Sequence, residues 1–348
     1  MQINELVQAW GRILSGRAPV LSIEITRECP LHCPGCYAYE DGHVSGANLR
    51  SLADFKNDEL VARVLALVEE HKPLHLSLVG GDPLVRYREL DVLLPQLAER
   101  GIYVQVVTSA FRPIPQSWAR IPKLRLSVSV DGLQPEHDAR RKPATYDKIL
   151  RNIQGHHVGI HCTITRAMVR PGYLREFVTF WSANDAVEKI WMSMFTPQRG
   201  SNHVECPSSL QRRIAIEELL QLRKLFPKLD MPERMLKEFL APPKSPRQCI
   251  FARTTRTLSA DLKSKIEPCQ FGGDPDCSRC GCAASMGLAA IGNRKLVGPL
   301  RTRHVLLASL AVGKAWQRAK DMGGKNVGGG GTVDSVSEQG DDLVKIAS

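Results

Sequence analysis

The chain reads as an α/β protein, a partial (β/α)6 barrel of TIM-like type followed by a small cysteine-rich module. Three observations carry this reading. Six short runs rich in aliphatic and β-branched residues recur between residues 20 and 195. Stretches with apolar residues at helical spacing separate them, and strands alternating with helices make parallel βαβ units. Five cysteines then crowd into residues 249–282. Six units differ from a closed eight-fold barrel, so the wall is expected to stay open, wide enough for a large substrate.

The elements follow in order. Residues 1–16 form an amphipathic lead-in helix (Ile3, Leu6, Val7, Trp10, Ile13, Leu14), and residues 17–205 the core barrel. Val20 to Thr26, Leu76 to Gly80, Ile102 to Val107, Leu124 to Val130, Val158 to Ile164 and Lys189 to Phe195 read as the strands. Leu60, Val61, Val64, Leu65, Leu67 and Val68 mark one intervening helix, and Leu90, Leu93, Leu94 and Leu97 another. Cys162 sits inside a strand and reads as a packed core thiol. Thr163 and Thr165 follow it toward the strand end, and Gln198 and Arg199 stand where a substrate loop would begin.

A loop after the first strand carries the strongest chemical signal. In Thr26-Arg27-Glu28-Cys29-Pro30-Leu31-His32-Cys33-Pro34-Gly35-Cys36-Tyr37 the cysteines are spaced C-x3-C-x2-C, and the next cysteine in the chain is Cys162. Soft thiolates suit iron–sulfur clusters. Three of them on four irons leave one iron open to a small molecule. Zinc takes four ligands in a structural site, and His32 beside Cys29, Cys33 and Cys36 keeps a zinc knuckle as the alternative.

The spacing, with Tyr37 after the last cysteine, resembles the radical S-adenosylmethionine (SAM) superfamily. In that family the open iron chelates the amino and carboxylate groups of SAM. Reductive cleavage then yields a 5′-deoxyadenosyl radical that abstracts hydrogen from a substrate. Gly80-Gly81-Asp82-Pro83 resembles the family's G-G-E-P stretch, which implies that Gly80, Gly81 and Asp82 position the SAM amino group. Glycine permits close backbone approach and an acid favours an ammonium; Asp82 is one methylene shorter than the usual Glu. Ser129-Val130-Asp131-Gly132 resembles S-x-D-G, placing Ser129 near the SAM ribose or carboxylate. His137 to Arg141 resembles H-D-x-x-R, which gives Arg141 the SAM carboxylate, with Arg140 as its rival. The resemblance implies a SAM-binding [4Fe–4S] cluster on Cys29, Cys33 and Cys36, Tyr37 as a cofactor contact, and a reductant such as flavodoxin or ferredoxin.

Residues 206–246 read as a helical linker region, two helices joined near Phe226-Pro227 and a proline-rich stretch. Residues 247–321 hold the cysteine-rich module and a C-terminal helix, and the Gly-rich stretch 322–348 is expected to be disordered. Cys249, Cys269, Cys277, Cys280 and Cys282 are dense enough to point to metal. Thr257 to Cys269 reads as a small hairpin, and Gly272, Gly273 and Gly281 allow tight wrapping. The pattern resembles the SPASM or shorter twitch extensions of radical SAM enzymes. That implies an auxiliary [4Fe–4S] cluster on four of the five cysteines, which four being open, with structural zinc as the alternative.

The formal net charge of +11 points to an anionic partner or serves solubility alone. Aromatics at 6% and the lack of a nucleic-acid motif give no strong nucleic-acid signal. The apolar run Val305 to Val312 is too short to span a bilayer. With Arg294, Lys295, Arg301, Arg303 and His304 nearby, it leaves peripheral membrane contact open. Ten cysteines without a secretory leader predict a reducing, cytoplasmic setting. The expected function is SAM cleavage for hydrogen abstraction from a peptide or small metabolite. A lipid- or isoprenoid-modifying enzyme of the same family and a non-catalytic zinc or Fe–S protein are the alternatives.

Overall fold

The computed structural model describes residues 3–44 and 46–325. Its main sheet has seven parallel strands: β1 Val20–Glu24, β2 His75–Val79, β3 Tyr103–Thr108, β4 Leu124–Ser129, β5 Val158–Ile164, β6 Val187–Met194 and β7 Thr255–Leu258. Their order across the sheet is β6-β5-β4-β3-β2-β1-β7. The first six are the six expected units, laid down side by side in chain order. The seventh adds to the expected hairpin, whose first arm also joins the main sheet. Thr255–Leu258 joins β1 in parallel, Val20 opposite Thr255 through Ile23 opposite Leu258. It covers an edge whose N–H and C=O groups would otherwise be unpaired. The chain then turns back, with Leu258 bridging Lys265, Ser259 N–H donating to Ser264 O at 2.9 Å and Ile266 N–H to Thr257 O at 3.1 Å.

Helices α1 Ile3–Leu14, α2 Asn57–His71, α3 Tyr87–Glu99, α4 Gln134–Arg140, α5 Tyr146–Asn152, α6 Tyr173–Ser182 and α7 Ser209–Leu225 accompany the barrel. Strand alternation decides what faces them. Leu76, Leu78, Val104, Val106, Leu126, Val128, Ile160 and Cys162 are buried in one core with Leu60 and Val64 of α2, Leu90 and Leu94 of α3, and Phe177 and Trp181 of α6. The period of two then sends Ser77, Gln105, Ser127, Ser129, His161, Thr163, Trp191 and Ser193 to the concave face. A closed barrel fills this space with layers of Val, Ile and Leu. Here residues that are mostly polar, four of them serines, stand in that place and a hollow remains.

The remainder packs across the mouth and edge. Helices α8 Glu233–Glu238, α9 Ile250–Thr254 and α10 Ala283–Gly292 precede an antiparallel pair, β8 Lys295–Val297 and β9 Leu300–Arg301, and α11 Thr302–Lys325. Helix α1 packs on α11: the indole N–H of Trp10 donates to Ser309 Oγ at 3.1 Å, and Ile13 shares a small core with Ile250, Leu306 and Leu310. Since α11 runs to Lys325, the first residues of the Gly-rich stretch are helical; residues 326–348, expected to be disordered, lie outside the described residues. No helix among the described residues is long and apolar enough to cross a membrane.

Candidate active site

Cys29, Cys33 and Cys36 lie in the loop after β1 as free, half-buried thiols. The backbone N–H groups of Leu31, Lys142 and Ala38 lie near enough to favour the thiolates of Cys29, Cys33 and Cys36 respectively. Burial penalises the thiolate form and pushes all three thiols up, Cys29 to about 12. Iron bound to the sulfur offsets that penalty, so three buried thiols with N–H groups near them fit a cluster. His32 does not join them. It is exposed, its ring against an Arg50 guanidinium nitrogen at 3.5 Å, so the fourth ligand of the zinc alternative is missing from this loop.

The loop after β2 is pinned under the cysteine loop. Gly81 N–H donates to Thr26 O at 2.8 Å and Asp82 N–H to Glu28 O at 2.9 Å. A Cβ on Gly81 would stand 2.0 Å from the Glu28 carbonyl, so no other residue fits there. The Asp82 side chain is buried and turned into the protein. Its Oδ1 accepts from Leu84 N at 3.0 Å and Thr108 Oγ1 at 2.6 Å, and its Oδ2 from Ser109 N at 2.8 Å and from Ser109 Oγ. The carboxylate holds the ends of β2 and β3 together, and its four acceptor positions are taken.

The end of β4 brings the arginines in. Burial works against the Asp131 carboxylate, but Arg141 and Arg140 prevail and hold its pKa well below the usual carboxylate range. Arg140 is fully engaged: Nη1 on Asp131 Oδ2, Nε on Glu205 Oε1 at 2.7 Å and Nη2 on Glu205 Oε2 at 3.1 Å. Arg141 gives Asp131 only its Nε, at 2.9 Å. The other H-D-x-x-R residues brace the turn. His137 Nδ1 accepts from Asp131 N at 3.1 Å while Nε2 faces Thr145 Oγ1 at 2.8 Å, and Asp138 Oδ1 accepts from the N–H groups of Thr145 and Tyr146. Burial, then Arg141, lowers the His137 pKa to about 4.

One cavity of about 410 Å³, within the size range of small-molecule sites, takes in the cysteine loop and the arginines, while Cys29, Gly80, Gly81 and Asp82 lie outside its lining. Cys33, Cys36, Tyr37, Ser129, Arg140 and Arg141 line it, as do Thr163 and Gln198. Thr165 is buried elsewhere, and Arg199 is exposed and paired with Asp274 at 3.2 Å. Sequence reasoning missed His161, Trp191 and Ser193, though the strand alternation already put them on the concave face. In the register Ser129 lies opposite His161, and His161 opposite Trp191. His161 Nε2 meets Ser193 Oγ at 2.8 Å. The Trp191 Nε1 and Gln198 Oε1 atoms are buried with no hydrogen-bond partner among the described residues.

A second, tighter cavity is lined by all five later cysteines, Cys249, Cys269, Cys277, Cys280 and Cys282. Among the described residues, here and in the cysteine loop after β1 alike, no three His, Cys, Asp or Glu side chains are grouped so as to hold a metal ion. This module is fixed to the barrel mouth. Met194 N–H donates to Gly281 O at 2.9 Å, and Gly281 N–H to Thr196 Oγ1 at 2.8 Å. A Cβ on Gly281 would lie 1.9 Å from Met194 O. Cys282 and Phe271 line both cavities.

The family profile described as the Radical SAM superfamily matches residues 23–178, the stretch from β1 into α6. Residues 23–178 form a radical SAM domain. The superfamily is one of enzymes, whose shared cofactors are a [4Fe–4S] cluster and SAM. Streptococcus suis SuiB bound to precursor peptide SuiA superposes on this chain with a TM-score of 0.57 at 16% identity, over 77% of this chain and 63% of SuiB. Native anSMEcpe with bound AdoMet and Kp18Cys peptide gives 0.52 at 15% identity, over 89% of this chain and 100% of that one. At these identities the likeness is one of fold, the open parallel barrel. This chain spans less than two thirds of SuiB. No curated protein matches it in sequence.

Proposed function

We propose that this protein is a radical SAM enzyme that modifies a peptide. The observation that supports it best is the shared cavity: the three-cysteine loop, Ser129 and Arg141 open onto the same hollow as the polar concave face. When bound, a [4Fe–4S] cluster on Cys29, Cys33 and Cys36 with SAM supplies a 5′-deoxyadenosyl radical for hydrogen abstraction. The chain's own residues bind and orient. Arg141 has its Nη groups left for the SAM carboxylate, which favours it over the saturated Arg140. Gly80 and Gly81 offer backbone to the SAM amino group, while Asp82 positions that backbone. Ser129 and Tyr37, both on the wall of the hollow, contact the cofactor.

A peptide suits the rest of the hollow. Buried polar groups are nearly always paired, so the Trp191 N–H and Gln198 Oε1 call for a ligand. An amide offers an acceptor for the first and a donor for the second. Both structural neighbours described above were crystallised with peptides. The net charge favours an anionic segment. The later cysteines, in this reading, hold an auxiliary [4Fe–4S] cluster in a SPASM- or twitch-like module, with flavodoxin or ferredoxin as electron donor.

Anaerobic reconstitution tests the reading. About eight irons per chain are expected for two four-iron clusters, with release of 5′-deoxyadenosine under a low-potential reductant. A peptide encoded beside the gene should change mass only when SAM is present. Bound zinc without SAM cleavage would sink the proposal in favour of a non-catalytic metal protein.

One surface favours a second reading, a lipid or isoprenoid substrate reached at a membrane. The β8–β9 tip exposes Leu296, Val297 and Leu300 between the basic Arg294, Lys295 and Arg303, an apolar tip with cationic flanks. Co-sedimentation with anionic liposomes, lost in Leu296→Ser/Val297→Ser, would support it; no sedimentation at low salt removes it.

A further inference from the structure

Arg27, Arg50 and Lys142, from three stretches of the chain, are gathered around the cysteine loop. Arg27 Nη1 donates to Arg50 O at 3.0 Å and to Leu52 O at 2.8 Å. The Arg50 guanidinium lies over the Tyr39 ring, 4.3 Å from its centroid, and its Nη2 meets His32 Nδ1 at 3.5 Å. His32 N–H in turn donates to Lys142 O at 2.6 Å. Arg27, Arg50, Lys142 and His32 are all exposed.

The carboxylates nearby are engaged elsewhere. Glu28 is shared by Lys56 and Arg86, and the buried Asp54 side chain pairs with Arg86 at 2.5 Å. Asp41 Oδ1 accepts from Asn48 Nδ2 at 3.1 Å, and Glu40 lines the main cavity. Among the described residues Arg27, Arg50 and Lys142 form no ion pair, so their charges stand uncompensated at the surface.

What is missing from this surface matters as much. No large apolar side chain is exposed among the described residues of 26–56 and 140–148. A membrane-binding face would carry some. A charged, polar surface suits instead a brief contact with a protein of opposite charge. Such contacts are small in electron-transfer pairs, and long-range attraction speeds the encounter. The position is telling too: Arg27 stands two residues before Cys29, and His32 is next to Cys33.

The geometry points to a docking surface for an acidic one-electron carrier protein, made by Arg27, Arg50 and Lys142 on the exposed side of the cysteine loop. This rests on reading Cys29, Cys33 and Cys36 as a cluster site, and it names the partner of that site. The step at this surface is the passage of one electron. The reduced carrier is oxidised, the cluster is reduced, no bond forms or breaks and no proton moves. Electron transfer falls steeply with distance, and a carrier seated here lies against the loop that holds the cluster.

Flavodoxin is the probe, and the full chain after anaerobic reconstitution is the protein tested. Flavodoxin binding, followed by thermophoresis, should weaken about tenfold in Arg50→Glu and in Lys142→Glu, and in wild type it should weaken as salt rises. Arg27 is left in place because it ties the loop to Arg50 and Leu52. The second readout is release of 5′-deoxyadenosine. Arg50→Glu should be slowed about tenfold when flavodoxin supplies the electron. With dithionite, a small reductant that needs no docking surface, it should match wild type. Arg50→Gln should fall between the two. Unchanged flavodoxin binding in both charge reversals, or an equal loss with dithionite in Arg50→Glu, overturns the docking surface. So does a wild type that ignores flavodoxin and binds RNA or anionic liposomes through Arg50 and Lys142. No SAM cleavage by wild type with dithionite overturns the radical SAM reading and the proposal with it, and the dithionite arm tells the two failures apart.

Discussion

The imidazole of His43 lies between two distant parts of the chain, with Nε2 2.8 Å from Glu24 Oε1 and Nδ1 3.1 Å from the carbonyl oxygen of Phe271. Glu24 ends β1, just before the cysteine loop, and Phe271 follows Cys269 in the later module. The other Glu24 oxygen accepts from Ser259 Oγ at 2.6 Å. Tyr37 sits against both His43 and Phe271, with ring centroids 5.6 Å and 5.3 Å away. Tyr37, the residue after Cys36, is thus held in place by the second module.

Both members of the His43–Glu24 pair are buried. Removing one partner of a buried pair strands the other, at a cost of about 3–5 kcal/mol. His43→Ala should therefore lower the unfolding free energy by about that much in anaerobic denaturant titration. His43→Gln, which keeps one hydrogen bond, should lose less. A His43→Ala protein as stable as wild type would show that the pair does not hold the two regions together.

Two buried histidines give acid and alkaline limbs of opposite sign. For His137 the pKa falls from 6.5 unfolded to about 4 folded, through burial and then Arg141. As pH drops below 6.5 the unfolded chain takes up a proton that the folded chain refuses. Stability is then lost between pH 6.5 and about 4, by roughly 3 kcal/mol. For His43 burial opposes the charge, but Glu24 prevails and the pKa is raised. Its contribution is whole below pH 6.5 and fades as pH rises through the folded value. Melting temperature against pH should show His137→Gln flattening the acid limb and His43→Gln flattening the alkaline one.

What the sequence made legible was local. Strand positions came within about two residues because each strand is a short apolar run bounded by turn residues. The cysteine and glycine loops were readable because their chemistry is written in adjacent residues. Arg140 and Arg141 were indistinguishable in sequence; only Glu205, brought in from the far side of β6, separates them. Thr255–Leu258 carries one aliphatic residue and no alternation, so its strand character comes from the β1 edge it meets. The Glu24–His43–Phe271 contact spans 228 residues between His43 and Phe271, and no spacing rule reaches that far.

The packing of the Gly81 loop against the cysteine loop makes a sharp pair of substitutions. Gly81→Ala would push a methyl to within 2.0 Å of the Glu28 carbonyl, a backbone atom that cannot swing aside. A shift of the cysteine loop is the only relief, so iron content should fall along with stability, by about 3 kcal/mol or more. Gly11→Ala, in α1 with nothing within 4 Å of the new methyl, should instead gain about 0.5–1 kcal/mol from helix propensity. Iron analysis beside thermal melts checks both. An unchanged iron content in Gly81→Ala would mean the two loops are not rigidly joined.

Arg140 and Arg141 should separate cleanly by assay. Arg141 contributes a single bond to Asp131 and faces the cavity. Loss of a charge-assisted fork to the SAM carboxylate costs about 1.5–3 kcal/mol, roughly a 10- to 100-fold weaker Kd. Arg141→Met should show this in equilibrium dialysis with reconstituted enzyme, with a smaller loss of stability than Arg140→Met, since Asp131 keeps Arg140 and Glu205 keeps both its bonds. Arg141→Lys should recover only part, since an ammonium keeps the charge but not the fork. Arg140→Met should do the reverse. It strips Glu205 of both hydrogen bonds and leaves Asp131 with Arg141 alone, so stability falls by about 3 kcal/mol. SAM affinity, measured on the fraction that stays folded, should hold within a few-fold. If Arg140→Met loses SAM while Arg141→Met retains it, the assignment is reversed, and the carboxylate partner is the arginine the protein has already paired with Glu205.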